Sequence, residues 1–193
     1  MTLTGRDVLL PTIIALFVLT PVLTLALKFI TSRYAQEDVE ARFLERLKYI
    51  PSQTEILSEP TLARWLADKR NDKAISVYVV PVLFPLDILF LLCLGVFLGL
   101  ASGALADRLG FLSSIPAWIW WILPAAYMAS DLAEDTVIAA IFKSFIPLTT
   151  GWFRLLSTLT AIEIATISAA IGQVAILGAL NALLFFFPAG KAI

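Results

Sequence analysis

The sequence contains no histidine and a single cysteine, Cys93, among its 193 residues. Without imidazole there is no His-ligated zinc or haem, no HExxH protease and no Ser-His-Asp or Cys-His nucleophile system. One cysteine inside an apolar run leaves no disulfide framework and no CxxC motif for metal or redox chemistry. Charge is scarce as well. Only 15% of residues are Asp, Glu, Lys or Arg, and they sum to a net charge of -1, so no basic surface for nucleic acid is expected. What is abundant is apolar surface: 60% of residues are hydrophobic and the mean hydropathy is +0.90. That composition belongs to multi-pass membrane proteins in contact with lipid, not to soluble domains.

A helix crossing the hydrocarbon core needs about 20 predominantly apolar residues. Four stretches meet that length, roughly residues 8–30, 76–104, 115–145 and 152–187. The expected fold is all-α: a single membrane domain over residues 1–193, built as a four-helix transmembrane bundle with an amphipathic helical first loop. The first apolar run, Val8 to Ile30, is 23 residues long, beyond the roughly 7 to 15 of a signal-peptide core. It is therefore read as a retained span. Pro11, Pro21, Pro81, Pro85 and Pro124 mark expected kinks or entry points, which neighbouring helices tolerate.

The first loop, residues 31–75, holds eight basic and eight acidic side chains. Val39, Phe43, Leu47 and Ile50 recur at helical spacing, and Asp38 precedes Arg42 by one turn, which predicts an amphipathic helix. A second short helix is expected from Ser58-Glu59-Pro60, with Leu62, Trp65 and Leu66 on one side. These helices read either as a packed connector or as a lid that binds a partner. The side holding the first and third loops carries eleven Lys and Arg against three on the other. The positive-inside rule then places the first loop in the cytoplasm and the termini outside. Trp118, Trp120 and Trp121 near the opposite surface, and Phe185 to Phe187 at the end of the last span, read as interfacial aromatic belts.

Carboxylates inside these spans demand an explanation, because a charge at the bilayer centre costs several kcal/mol on the most lenient scales. Counted from the first-loop side, Asp87, Asp131 and Glu163 fall at about 16 to 18 Å, and Glu134 and Asp135 at about 12 to 14 Å. Three helices would thus deliver five acids to one slab near the midplane. Tyr127, Asp131, Glu134 and Asp135 share one helical face, as do Glu163, Thr166, Ala170, Gln173 and Asn181. Gly95, Gly99 and Gly103 repeat every fourth residue, the pattern that lets helix backbones pack closely within a bundle or between protomers.

No Lys or Arg lies at the depth of the acids. Three neutralising agents remain open: protons, since burial and crowding favour the neutral acid; a hard divalent cation, which prefers oxygen ligands and needs no imidazole; or a base from a cationic ligand or partner subunit. Asp87, Tyr127, Asp131, Glu134, Asp135, Glu163 and Gln173 are the expected ligand- or ion-binding residues. For a metal, Asp131, Glu134 and Glu163 are the expected set. Interhelical hydrogen bonding among protonated acids is the competing structural reading.

Pro85-Leu86-Asp87 in the second span, LPAAYMASDLAED in the third, and Arg154 at the start of the fourth together resemble bacterial four-helix membrane proteins that carry a DxxEN motif. Here Asp135 stands where that motif has Asn. The resemblance covers about residues 76–165 and implies a bacterial inner-membrane location, with Asp87, Asp131 and Glu134 as the positions to test; it implies no activity. In layout alone the chain is similar to emopamil-binding-type sterol proteins, which hold cationic ligands with carboxylates between helices.

Three functions follow: an intramembrane carboxylate cluster that binds or passes a proton, a cation or a cationic small ligand; an accessory subunit, homo-oligomeric or docked to a partner membrane subunit; or a membrane enzyme using carboxylate acid/base catalysis on a lipid or isoprenoid. The first is preferred.

Overall fold

The computed structural model describes residues 5–31 and 59–186. Among these the chain is helical and contains no strand. The order is α1 (Gly5–Ile30), α2 (Glu59–Ala67), α3 (Asp72–Val77), α4 (Ile88–Ala106), α5 (Ile122–Phe142) and α6 (Thr150–Phe186). The predicted helix through Val39, Phe43, Leu47 and Ile50 lies outside the described residues, as does Phe187.

Three stretches are long and apolar enough to cross a membrane: Leu9–Ile30, Lys69–Ala106 and Thr150–Phe186. The fourth expected span is present as α5, with 21 residues. It falls short on composition, not on length: Asp131, Glu134 and Asp135 lie in its middle, so any 18-residue stretch of it contains all three.

The second expected span is not one straight helix. Between α3 and α4 the chain runs irregularly over Tyr78–Asp87, where Val80 (φ -138°, ψ 116°) and Phe84 (φ -125°, ψ 112°) are extended. Each precedes a proline, and the ring of Pro81 or Pro85 disfavours a helical conformation at the residue before it. Prolines also lack the N–H that would continue the ladder. Helical geometry resumes at Ile88, directly after Asp87. A depth for Asp87 counted along a continuous helix is therefore approximate, and the residue stands at the junction of broken and regular backbone.

The chain divides into two compact units. One comprises residues 21–91 and 131–161. Its core gathers Leu62 and Trp65 of α2, Tyr78, Val79, Val82 and Leu83 of the irregular segment, Ile138, Ile141 and Phe142 of α5, and Leu156 of α6. The helix predicted after Ser58 thus forms, and its apolar side faces this core. Asp68 then caps the following turn through the Arg70 N–H at 3.0 Å and pairs with the Arg70 guanidinium, which holds the Asp68 carboxyl below its ordinary range. At the other end of α5, Ser144 adopts a left-handed conformation (φ 58°) and the Phe145 N–H returns to Ala140 O at 2.9 Å, closing the helix with a Schellman-type turn.

The other unit comprises residues 1–20, 92–130 and 162–193. In it Gln173 Nε2 of α6 donates to Ser102 Oγ at 2.8 Å and to Trp120 O at 3.0 Å, and Asn181 Nδ2 donates to Leu105 O at 2.9 Å. Phe17 of α1 and Phe97 of α4 have ring centroids 5.5 Å apart. The glycine row is used for packing within the chain at two of its three positions. A Cβ on Gly95 would overlap the Met128 side chain and one on Gly99 the indole of Trp121, whereas a Cβ on Gly103 would meet nothing. Of the three tryptophans read as an interfacial belt, Trp118 is strongly exposed, while Trp120 and Trp121 are partly buried and pack against the protein, Trp121 beside Gly99.

Gly99→Ala is expected to lower stability by about 1 to 3 kcal/mol through overpacking on a rigid ring. Gly95→Ala should cost less, because Met128 can change rotamer, and Gly103→Ala should leave stability unchanged or slightly raised. Thermal unfolding of the detergent-solubilised protein checks this ranking.

Candidate functional site

The buried face of α5 follows helical spacing without interruption. Tyr127, Ser130, Asp131, Glu134, Asp135, Ile138, Ile141 and Phe142 are all buried, while Leu132 and Thr136 between them are exposed. The same 3.6-residue period that would make an ordinary apolar stripe here carries three acids in its central turns. Asp131, Glu134 and Asp135 are 8%, 3% and 4% exposed.

Asp131 and Asp135 are one turn apart, so their side chains project from the same side of α5. Asp87 joins them from the end of the irregular segment. One carboxylate oxygen from each of Asp87, Asp131 and Asp135 lies within 4.8 Å of the other two. All three acids belong to the unit that also contains α2. The aspartate triad is therefore a convergent set of oxygens assembled from two chain segments, with Asp131 and Asp135 buried and Asp87 partly exposed.

Glu134 is placed differently. Its Oε1 accepts from the Thr160 hydroxyl of α6 at 2.7 Å, and the same hydroxyl lies 2.8 Å from the Leu156 carbonyl. The hydroxyl has one proton for these two acceptors. Glu134 Oε2 and Asp135 Oδ2 are buried atoms with no hydrogen bond.

Of the residues expected to bind a ligand, the structure brings Asp87, Asp131 and Asp135 together, with Glu134 tied to Thr160. Asp131 is the only member of the expected metal set, Asp131, Glu134 and Glu163, that belongs to the triad. Glu163 and Tyr127 fall in the other unit; Tyr127 is fully buried and Glu163 half-buried. Gln173 also lies there, with its amide N–H groups engaged by Ser102 and Trp120, so it braces helices within that unit. Thr160 was not foreseen, although it stands three residues before Glu163 and so extends the polar stripe of α6 by one turn.

Neither α4, α5 nor the segment Tyr78–Asp87 contains a Lys or Arg. The donor set is all oxygen, which suits hard cations such as Mg²⁺, Ca²⁺ or Mn²⁺ over the soft or imidazole-preferring metals.

Comparison with known protein families, with characterised proteins and with solved structures finds no match to this chain. The functional reading therefore stands on the residues themselves.

Thr160→Val should cost about 1 kcal/mol in stability by removing an interhelical hydrogen bond, and Thr160→Ser should restore most of it. Thermal unfolding of the two variants, prepared in the same detergent, measures the difference.

Proposed function

We propose that the chain is an integral membrane protein whose Asp87, Asp131 and Asp135 carboxylates bind a hard cation within the membrane. The observation that carries this reading is the convergence of three carboxylate oxygens within 4.8 Å of one another. Oxygen ligands at 2.0 to 2.6 Å from a hard cation lie about 3 to 5 Å from each other. A cation also removes the mutual repulsion and the desolvation penalty that three adjacent buried acids otherwise carry. Glu134, held by Thr160, adds a fourth carboxyl beside the triad and strengthens the field felt by a positive ion.

A second reading has its own support. The crowding of three acids within 4.8 Å favours a proton as an alternative occupant of the same oxygens, and intramembrane acids commonly mark ion or proton pathways. The location proposed is a bacterial inner membrane, with residues 31–75 on the cytoplasmic side, from the resemblance and from the distribution of Lys and Arg. A homo-oligomer or a complex with a partner membrane subunit remains part of the proposal, and Gly103, whose face is open, is where α4 has room for another helix.

Mn²⁺ is a suitable probe because it takes oxygen ligands and its free form is counted by electron paramagnetic resonance. The purified protein should bind Mn²⁺, and Asp131→Asn, Asp135→Asn and Asp87→Asn should each weaken binding at least tenfold. Asp131→Asn combined with Glu134→Gln should abolish it while leaving the protein extractable and folded. Unchanged binding in that double variant, or none in the parent, would sink the cation reading.

A further inference from the structure

On the α2 side, the segments around the carboxylates change character within a single turn. Leu83 stands four residues before Asp87, Ile138 four after Glu134, and Leu156 four before Thr160. These three aliphatic side chains are 1%, 1% and 0% exposed and belong to one cluster. Four-residue spacing keeps each on the same helical face as its polar neighbour in α5 and α6. Beyond this layer comes an aromatic one: the Phe142 ring centroid is 5.9 Å from that of Tyr78 and 6.2 Å from that of Trp65. Leu62 and Trp65 of α2 are buried in the cluster, and Leu66 packs against it.

We propose that this aliphatic layer, covered by α2, is a hydrophobic gate on the α2 side of the carboxylate site, and that displacement of α2 opens it. An apolar constriction without room for water blocks ions by dewetting, and it admits them when it widens enough to hydrate. The movable part is α2. It has nine residues, too few for a helix to persist alone in water, so its attachment depends on what it packs against. Besides Leu62 and Trp65, it is tied to the following turn by Asn71 Nδ2, which donates to Trp65 O at 2.8 Å. Leu66 is partly buried against the same cluster, and Ala63, Arg64 and Ala67 are exposed. The inference rests on the cation reading only for the identity of what passes.

The gate is tested without any ion. Thr160→Cys, placed just inside the aliphatic layer in a Cys93→Ala background, is exposed to a membrane-impermeant methanethiosulfonate in sealed vesicles. The population whose α2 end faces the reagent is identified by labelling of Cys introduced at the exposed Arg70 position. Adding Trp65→Ala or Leu156→Ala should raise the labelling rate of the Thr160→Cys site at least tenfold, and Trp65→Phe should not. Leu62→Ala serves where either variant fails to fold. Equal rates in folded variants overturn the gate. Mn²⁺ binding is read on the same preparations, so loss of the cation reading and loss of the gate are separate results.

Discussion

The constraint on which the rest depends is the burial of adjacent carboxylates in an apolar helical chain. Charges removed from water carry penalties of several kcal/mol each after relaxation, and three acids that approach within 4.8 Å add mutual repulsion. Such an arrangement persists only when protons, cations or fixed donors compensate. Thr160 supplies one donor, to Glu134. At the aspartate triad, the cation proposed above would supply such compensation.

Local structure serves the same end. Two prolines four residues apart interrupt the second span and deliver Asp87 at the start of α4. Membrane proteins tolerate irregular backbone at depth where it is buried in protein or lines a cavity, and interrupted helices are a recurring way to build ion sites near the middle of the bilayer. Below the acids the same segments turn aliphatic, so the polar layer is backed by a dry one. The acids thus lie next to a buried aliphatic layer, Leu83, Ile138 and Leu156, which is the geometry that the proposed cation site and gate rest on.

The sequence revealed the faces and not the partners. Helical period placed Asp131, Glu134 and Asp135 on the buried side of α5; depth counting set Asp87 level with Asp131, but it set Glu163 there too, which falls in the other unit. The pre-proline positions signalled a break, although not its ten-residue extent, Tyr78–Asp87. Other features left no periodic trace. The bond from Thr160 to Glu134 joins residues 26 apart in the chain and that from Gln173 to Ser102 joins residues 71 apart; a polar stripe on one helix does not say which helix it meets. Gln173 therefore read as a ligand group when it is a brace. Gly99 left open packing within or between chains until Trp121 was found against it. The role of α2 was similarly ambiguous, because an amphipathic face fits a packed connector and a partner-binding lid equally well.

The most direct test of a cation held by the aspartate triad is an infrared difference spectrum of the purified protein with and without a saturating divalent cation. Cation binding should shift the carboxylate stretching bands, and the shift should vanish when Asp87 and Asp135 are both replaced by Asn. A spectrum that does not change on addition of the cation, or that changes identically in the double variant, contradicts the account.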